Sequence, residues 1–568
     1  GVITMDNTEQ RDQLEAKRGQ LYQERTKSWD ENWKTLRDNI DPDTGQFPDE
    51  EVNSGSRRDQ RILNNTATMS AGVLAAGMQS GMTSPARPWF ELAAPDPEMN
   101  QYAPVKNWLW FVQNAMREVF IRSNLYNVLP SCYGEQGVFG TGVIAAIPDE
   151  KSLVRFYNFT IGSYYLATSS RQIVDTIYRD MKMTPRQMAQ KFGKDKLSQT
   201  VKTMLERNDE CWITVYHAIE PNDAREPGRM DNKNMPYRSV YWEAGSPRNE
   251  ILRSTGFKKF PIMAPRWKVK GESVYGKGPG SACIGEVLAL QLAERRKWEM
   301  VDKGVRPPMT APASMKADRV SILPGDVTWL PDSQVGVKFQ PAYIVDPNWI
   351  GQLRGEIASA EQHIKTTFFE DLFLMISSMD DVRTATEIAA RKEEKMLMLG
   401  PVLERQNDEL LDLLIDITFQ MMLDQAVPIW QGLKPGKPII PPPPQELAQV
   451  DLAIEYVSIL AQAQKALGVT AIERAVAFTG NLAASFPDAA DNLNIDQTIT
   501  EYFEAIGIPP TMQNSADQVA AIRQARADAQ AEAARQQQLA QVVEGAKLLS
   551  ETDMSGDNAL TNIAQQVQ

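Results

Sequence analysis

Two long stretches of helical period, Pro279 to Lys303 and Asn348 to Phe369, bracket a segment, Arg306 to Asp346, that has none. In the second stretch Ile350, Leu353, Ile357, Ala360, Ile364 and Phe368 recur at spacings of three and four, the mark of one buried helix face. Arg306-Pro307-Pro308 ends the first, because proline has no amide proton and clashes with the turn before it. Between the helices, short runs such as DVTWL and VGVKF sit among prolines and glycines. A chain written in this order folds as two long helices carrying a small β insert at one end. At about 1.5 Å per residue, Asn348–Phe369 spans roughly 33 Å.

The rest of the chain is organised around that pair. Asn7 to Asn39 reads as a polar helix ended by Asp41-Pro42-Asp43-Thr44-Gly45. Arg61 to Met82, RILNNTATMSAGVLAAGMQSGM, is rich in small residues that let helices approach closely; Asn, Gln and Ser within it make the neighbours protein rather than lipid. Asn107 to Leu129 reads as a further helix. From Gly137 to Lys270, β-branched and aromatic runs alternate with Gly, Pro and Asn turns, which predicts antiparallel strands. Thr384 to Leu423 is the longest helical stretch, with Gly400-Pro401 inside it as a kink or break. PGKPIIPPPP, Pro435 to Pro444, reads as a stiff linker, Glu446 to about Ile506 as a helical module, and the Ala/Gln-rich end as a helix stable only against copies or partners.

At 568 residues the chain exceeds one hydrophobic core. Its net charge of −13 argues against a protein that grips DNA tightly, though not against one that surrounds it. Three widely spaced cysteines, Cys132, Cys211 and Cys283, make neither a disulfide framework nor a zinc pattern and imply a reducing compartment. With only His217 and His363, most histidine-based catalytic and metal sites are unavailable. No apolar run is long enough to span a bilayer. The chain starts Gly-Val-Ile-Thr, and Met5 is read as the natural start. The expectation is a soluble, intracellular protein without metal or cofactor.

The candidate chemistry is thin. GESVYGKG, Gly271 to Gly278, follows the phosphate-loop pattern through Lys277, but Gly278 stands where Ser or Thr would hold Mg²⁺, so a turn into the long helix is the better reading. Gly134, Gly137, Gly140 and Gly142 in GEQGVFGTGV read as a bulge or tight turn before a strand rather than a phosphate cradle. His363 reads as solvated or at an interface between subunits, and His217 as a satisfied core or half-buried histidine. Arg295-Arg296-Lys297 is a basic patch offset by Glu294 and Glu299, balanced between a solvated face and a phosphate-facing one. RKEEK, Arg391 to Lys395, reads as helix surface pairs. No nucleophile, base and oxyanion hole assemble, and no enzyme is predicted. The loop Leu374-Met375-Ile376-Ser377-Ser378-Met379-Asp380-Asp381 joins two helices with flexible Met side chains and paired carboxylates.

Three stretches, Ile62–Leu92, Arg266–Gln291 and Thr384–Leu411, together with FGTGV (Phe139–Val143), resemble the portal, or head-to-tail connector, of short-tailed bacteriophages. The similarity runs from about Asp12 to Trp430 and implies an α+β, mainly helical subunit with wing, stem, clip and crown, assembled as a ring. On that resemblance residues 1–272 are N-terminal helices and wing, 273–305 the first stem helix, 306–346 the clip and 347–372 the second stem helix. Residues 373–384 are then the tunnel loop, 385–430 the kinked wing helix, 431–445 the linker, 446–515 the crown and 516–568 the C-terminal tail. The family implies a homododecamer at one capsid vertex of the virion, assembled in the host cytoplasm, through which double-stranded DNA passes without sequence preference. Implied partners are the terminase large subunit, a tail adaptor, major capsid and scaffold proteins, and internal core or ejection proteins at the crown; no membrane is involved. Leu374, Met375, Ile376, Ser377, Ser378, Met379, Asp380, Asp381 and Arg383 would line the tunnel. Lys365, His363, Arg295 and Arg296 would face the channel from the stem, Arg306, Lys316 and Arg319 would belong to the clip, and Gly400 and Pro401 would mark the kink. The alternatives are another structural virion protein, such as an internal core or ejection protein, and a phosphate-loop DNA motor.

Overall fold

In the computed structural model the residues described are 7–310 (apart from 54, 56–58, 97, 98, 101, 227, 230, 233 and 249), 313, 316, 340–342, 344, 346–377, 395, 397–424, 440–447, 453–458, 460, 461, 469–483, 486, 493–506 and 516–551. Pro279–Val305 and Pro347–Thr367 are helices that pack along each other, and at their far ends Met309–Thr310 pairs antiparallel with Gln340–Pro341, closing the base of the insert between them. DVTWL and VGVKF lie outside the described residues.

The elements are labelled in chain order. Helices α1 (Asn7–Thr26) and α2 (Trp29–Asn39) replace the single expected helix, and α3 (Thr66–Met82) starts later than Arg61. Strand β1 (Phe90–Ala93), helices α4 (Ala103–Arg122) and α5 (Leu125–Phe139), and strands β2 (Ile144–Asp149) and β3 (Leu153–Asn158) follow. The helix expected over Asn107 to Leu129 is divided because Asn124 leaves it to pair with β3: its Oδ1 accepts from the Phe156 amide at 2.9 Å and its Nδ2 donates to the Phe156 carbonyl at 2.7 Å.

Strands β4 (Tyr164–Thr168), β5 (Val174–Met183), β6 (Ile213–Pro221), β7 (Tyr237–Glu243) and β8 (Arg253–Phe257) form one antiparallel sheet in chain order, with α6 (Pro185–Phe192) and α7 (Gln199–Glu206) between β5 and β6. Strand β9 (Ile262–Met263) joins β2 and β3 in a second sheet. The alternating runs therefore fold as antiparallel strands, in a mixed helix-and-sheet protein.

The hairpin helices are α8 (Pro279–Val305) and α9 (Pro347–Thr367), with β10 (Met309–Thr310) and β11 (Gln340–Pro341) between them; α10 is Glu370–Ser377. A helix over 397–406 continues through Gly400 and Pro401 into a π-helical turn, Asn407–Leu411, and on into α11 (Asp412–Asp424). The helix is not broken at the proline, and its irregular turn lies beyond it. Strand β12 (Ala453–Tyr456) pairs antiparallel with β1 and so departs from the wholly helical module expected after Glu446. Helices α12 (Val469–Ala483), α13 (Ile495–Ile506) and α14 (Ala516–Glu551) follow.

Residues Gly1–Arg474 make one unit and Ala475–Gln568 a second. The core of the first runs from Trp33 and Leu36 through Leu74, Met78, Phe120 and Leu129 to Val287, Ile364, Phe373 and Leu414. In the second, Arg523 donates to Asp496 at 2.5 and 2.8 Å, tying α13 to α14.

Candidate channel segment and the junction that holds it

The end of α9 and the whole of α10 are laid against the small-residue helix α3. Ile364, Phe368, Leu372 and Phe373 are buried, and Phe369 turns the chain between the two helices with φ +56°. Gly77 of α3 makes this possible: a Cβ there would sit 2.3 Å from the Phe373 ring. Ser70 donates its hydroxyl to Glu370 Oε2 from the same face. The small residues of α3 thus do what their abundance suggested, letting a neighbouring helix approach closely at Gly77.

Leu374, Met375, Ile376 and Ser377 lie in α10, so the joining segment starts later than the loop expected from residue 374. Leu374 is exposed and Met375 packs partly against the core. Ser378, Met379, Asp380, Asp381 and Arg383 lie outside the described residues. Lys395 Nζ, beyond them, reaches Asp371 of α10 at 3.0 Å, so both ends of the interval 378–394 are tied to each other.

The hairpin is held at its root by three contacts. Gln291 of α8 accepts from the amides of Leu63 and Asn64 at 2.7 and 2.9 Å and donates to the Asn64 carbonyl at 2.7 Å. The Asn64 side chain donates to Glu294 of α8 and Glu361 of α9 at 3.3 and 2.7 Å, while its Oδ1 accepts from the Thr66 amide at the start of α3. Arg266 and Glu409 form the second contact: Nη2 to Oε1 is 2.6 Å, and the Arg266 amide also donates to Oε2 at 2.8 Å. Arg266 is buried and Glu409 half-buried in the π-helical turn.

The third contact is glycine against glycine. Gly140 caps α5 with φ +92°, and a Cβ there would lie 2.4 Å from the Gly276 carbonyl oxygen. Gly278 and Gly280 face the Gln136 and Val138 carbonyls as closely, at 2.5 and 2.4 Å. The Gly276 amide donates to Thr141 Oγ1 at 2.9 Å and the Lys277 amide to the Lys268 carbonyl at 2.8 Å. These amides are committed to the fold, so the loop resembling a phosphate cradle is a packing joint before α8. Gly134 and Gly137 belong to α5, with Gly137 against Leu74 of α3, instead of a turn leading into a strand.

The remaining predicted residues are scattered along the hairpin. Arg296 pairs with Glu299 at 2.9 Å and Lys297 with Glu294, leaving exposed Arg295 without a carboxylate among the described residues. His363 Nδ1 lies 3.6 Å from Glu286 Oε1 across the two helices, at the surface. Lys365 is half-buried, Arg306 and Lys316 are exposed, and Arg319 lies outside the described residues. His217 is a core histidine, with Nε2 3.0 Å from Ser239 Oγ but buried Nδ1 without a hydrogen-bond partner among the described residues, so it is satisfied on one side only. Among the described residues no group of three or more His, Cys, Asp or Glu could hold a metal ion, and no helix is long and apolar enough to cross a membrane.

Neither Asn64–Gln291 nor Arg266–Glu409 was singled out from the sequence, although all four residues fall in the three stretches that carry the resemblance. Those stretches lie far apart in the chain and meet here.

The profile of the family described as bacteriophage head to tail connecting protein matches residues 11–513. The chain is 46% identical over 559 residues to the portal protein of Salmonella phage epsilon15, covering 98% of each chain. It is 39% identical over 549 residues to the probable portal protein of Bordetella phage BPP-1, covering 96% of each. Among solved structures it is similar to a chain of the virion of a native gene transfer agent particle, with a TM-score of 0.28 and 11% identity over 63% of this chain and 74% of that one. A chain from the neck of an empty particle of that agent gives 0.27 and 12%, over 57% and 72%.

Proposed function

For this chain, which belongs to the bacteriophage head-to-tail connecting protein family and is a structural portal protein rather than an enzyme, we propose a ring of twelve copies through which double-stranded DNA is packaged, retained and ejected. The observation that carries the reading is the near full-length identity to a portal protein, 46% over 98% of both chains. In this reading α8 and α9 are the stem and residues 306–346 the clip. Residues 374–383 line the narrowest part of the channel, and 446–515 form the crown. Repeated around a ring, Asp380 and Asp381 would repel phosphates and keep the polymer from sticking, while Met379 supplies a compliant lining. Terminase, a tail adaptor, capsid and scaffold proteins are the partners such a position calls for, and the vertex of the virion is its place.

Self-association has support in the surface of the hairpin. Leu288, Leu292, Trp298 and Val305 on α8 and Trp349 on α9 are exposed, Trp298 at 60% and Trp349 at 61%. Large apolar side chains gathered on one hairpin are the surface that a neighbouring copy would cover.

Negative-stain microscopy with native mass of the same sample tests the ring. Twelve chains of 63.6 kDa give about 763 kDa with a central hole. Filaments, or a hexamer that hydrolyses ATP, would sink the proposal. Deleting Met375–Asp381 should then leave rings intact while DNA retention or packaging fails; rings that no longer form would make the segment structural instead.

A further inference from the structure

We propose that the β4–β8 sheet carries a phosphate-binding strip on its α6 side that takes the backbone of duplex DNA outside the channel. Arg179, His217, Tyr241 and Arg253 are direct register partners on four adjacent strands, so their side chains stand in one row on one face. His217 and Tyr241 are stacked, with centroids 3.7 Å apart and planes within 6°. Lys191 of α6 lies over the Tyr241 ring at 4.6 Å, and the Arg179 guanidinium lies over Phe159 at 3.6 Å.

Three permanent or near-permanent cations are thus gathered with aromatic neighbours and no carboxylate in ion-pair contact among the described residues. Buried Arg179 Nε and buried His217 Nδ1 have no hydrogen-bond partner in the protein. Elsewhere on the same sheet such groups are matched: Arg238 and Lys17 meet Glu220, and Arg18 meets Asp180. Partial burial, then Arg179 and Arg253, push Lys191 down to about 8; burial lowers Arg179 to about 10, and burial with the three cations holds His217 neutral. A cation held down by burial and by its neighbours, as Lys191 is, gains most from an added anion.

The row extends over three strand spacings, about 14 Å, which suits a chain of phosphates better than one small ion. His217 stays an uncharged spacer that holds Tyr241 flat under Lys191. The proposal rests on the portal reading only in taking duplex DNA as the polyanion at hand.

The test is fluorescence anisotropy of the full chain with a labelled duplex of about 30 base pairs, titrated across salt from about 50 mM. Lys191 and Arg253 reach the surface, so K191Q/R253Q leaves the packed face intact, and native mass reports ring formation separately. The expected result is a shallower dependence of log affinity on log salt, by about 1.8 for two phosphates no longer neutralised, with rings unchanged. Arg179→Gln, checked by its melting curve, should act in the same direction. An unchanged slope, or no duplex binding by the native chain at the lowest salt, overturns the proposal. So would inorganic phosphate that raises the melting temperature of the native chain but not of the double variant while DNA binding stays equal, because the strip would then be a small-anion pocket. Loss of rings in the native chain, by contrast, would count against the portal reading alone.

Discussion

Glu135 is a carboxyl that folding keeps protonated. It is buried on α5, where Oε1 accepts from Asn158 Nδ2 and Oε2 from the Ile161 amide, both at 2.9 Å. Burial outweighs these bonds and pushes it up to about 8. Because its folded value is raised above the unfolded one, its contribution to stability is fully present below about 4.5 and is lost as pH rises through about 8. Urea melts at pH 5, 7 and 9 should show the native chain weakening across that window and Glu135→Gln changing less; parallel profiles would rule the assignment out. Gly140 allows a sharper comparison. Gly140→Ala combines positive φ with a clash against backbone and should cost about 2–4 kcal/mol, whereas Gly271→Ala, at φ +58° with open space around it, should cost about 1 kcal/mol. Equal losses in denaturant melts would mean that the glycine joint is not tight. The sequence announced these glycines as unusual, but a turn and a close backbone contact leave the same mark until the opposing carbonyl is known.

Among elements, the Arg266–Glu409 pair joins the approach to α8 with the π-helical turn before α11. Breaking a buried pair leaves one charge without its partner, so Arg266→Met should destabilise by about 3 kcal/mol, and R266M/E409M by less than the sum of the two single changes. Additive losses in chemical denaturation would show that the two side chains do not act together. Helix periods in α8 and α9 were readable because each has a buried face; the split between α4 and α5 was not, since it depends on Asn124 meeting a strand more than thirty residues away. Strand β12 was missed for a related reason. Its four residues become a strand by pairing with β1, and the Tyr456 hydroxyl is held by Asp412 of α11.

For the whole molecule, the exposed tryptophans of the hairpin bear on assembly rather than on folding. W298S/W349S should leave the melting curve of the single chain within about 0.5 kcal/mol, because both side chains are at the surface, yet shift native mass from rings toward free subunits at the same concentration. Rings of undiminished stability would place the subunit contact elsewhere.

What the sequence by itself determined are the properties carried by neighbours along the chain: helical period, antiparallel alternation, proline stops, and the stretches that mark the family. The tertiary structure alone decided how those stretches meet. Asn64 with Gln291, Arg266 with Glu409 and Gly140 with Gly276 are pairs separated by more than a hundred residues, and no local pattern specifies a partner at that distance. The cationic row on the sheet has the same origin. Arg179, His217, Tyr241 and Arg253 are ordinary strand residues until register sets them side by side, since only the pairing of four strands fixes which side chains share a face.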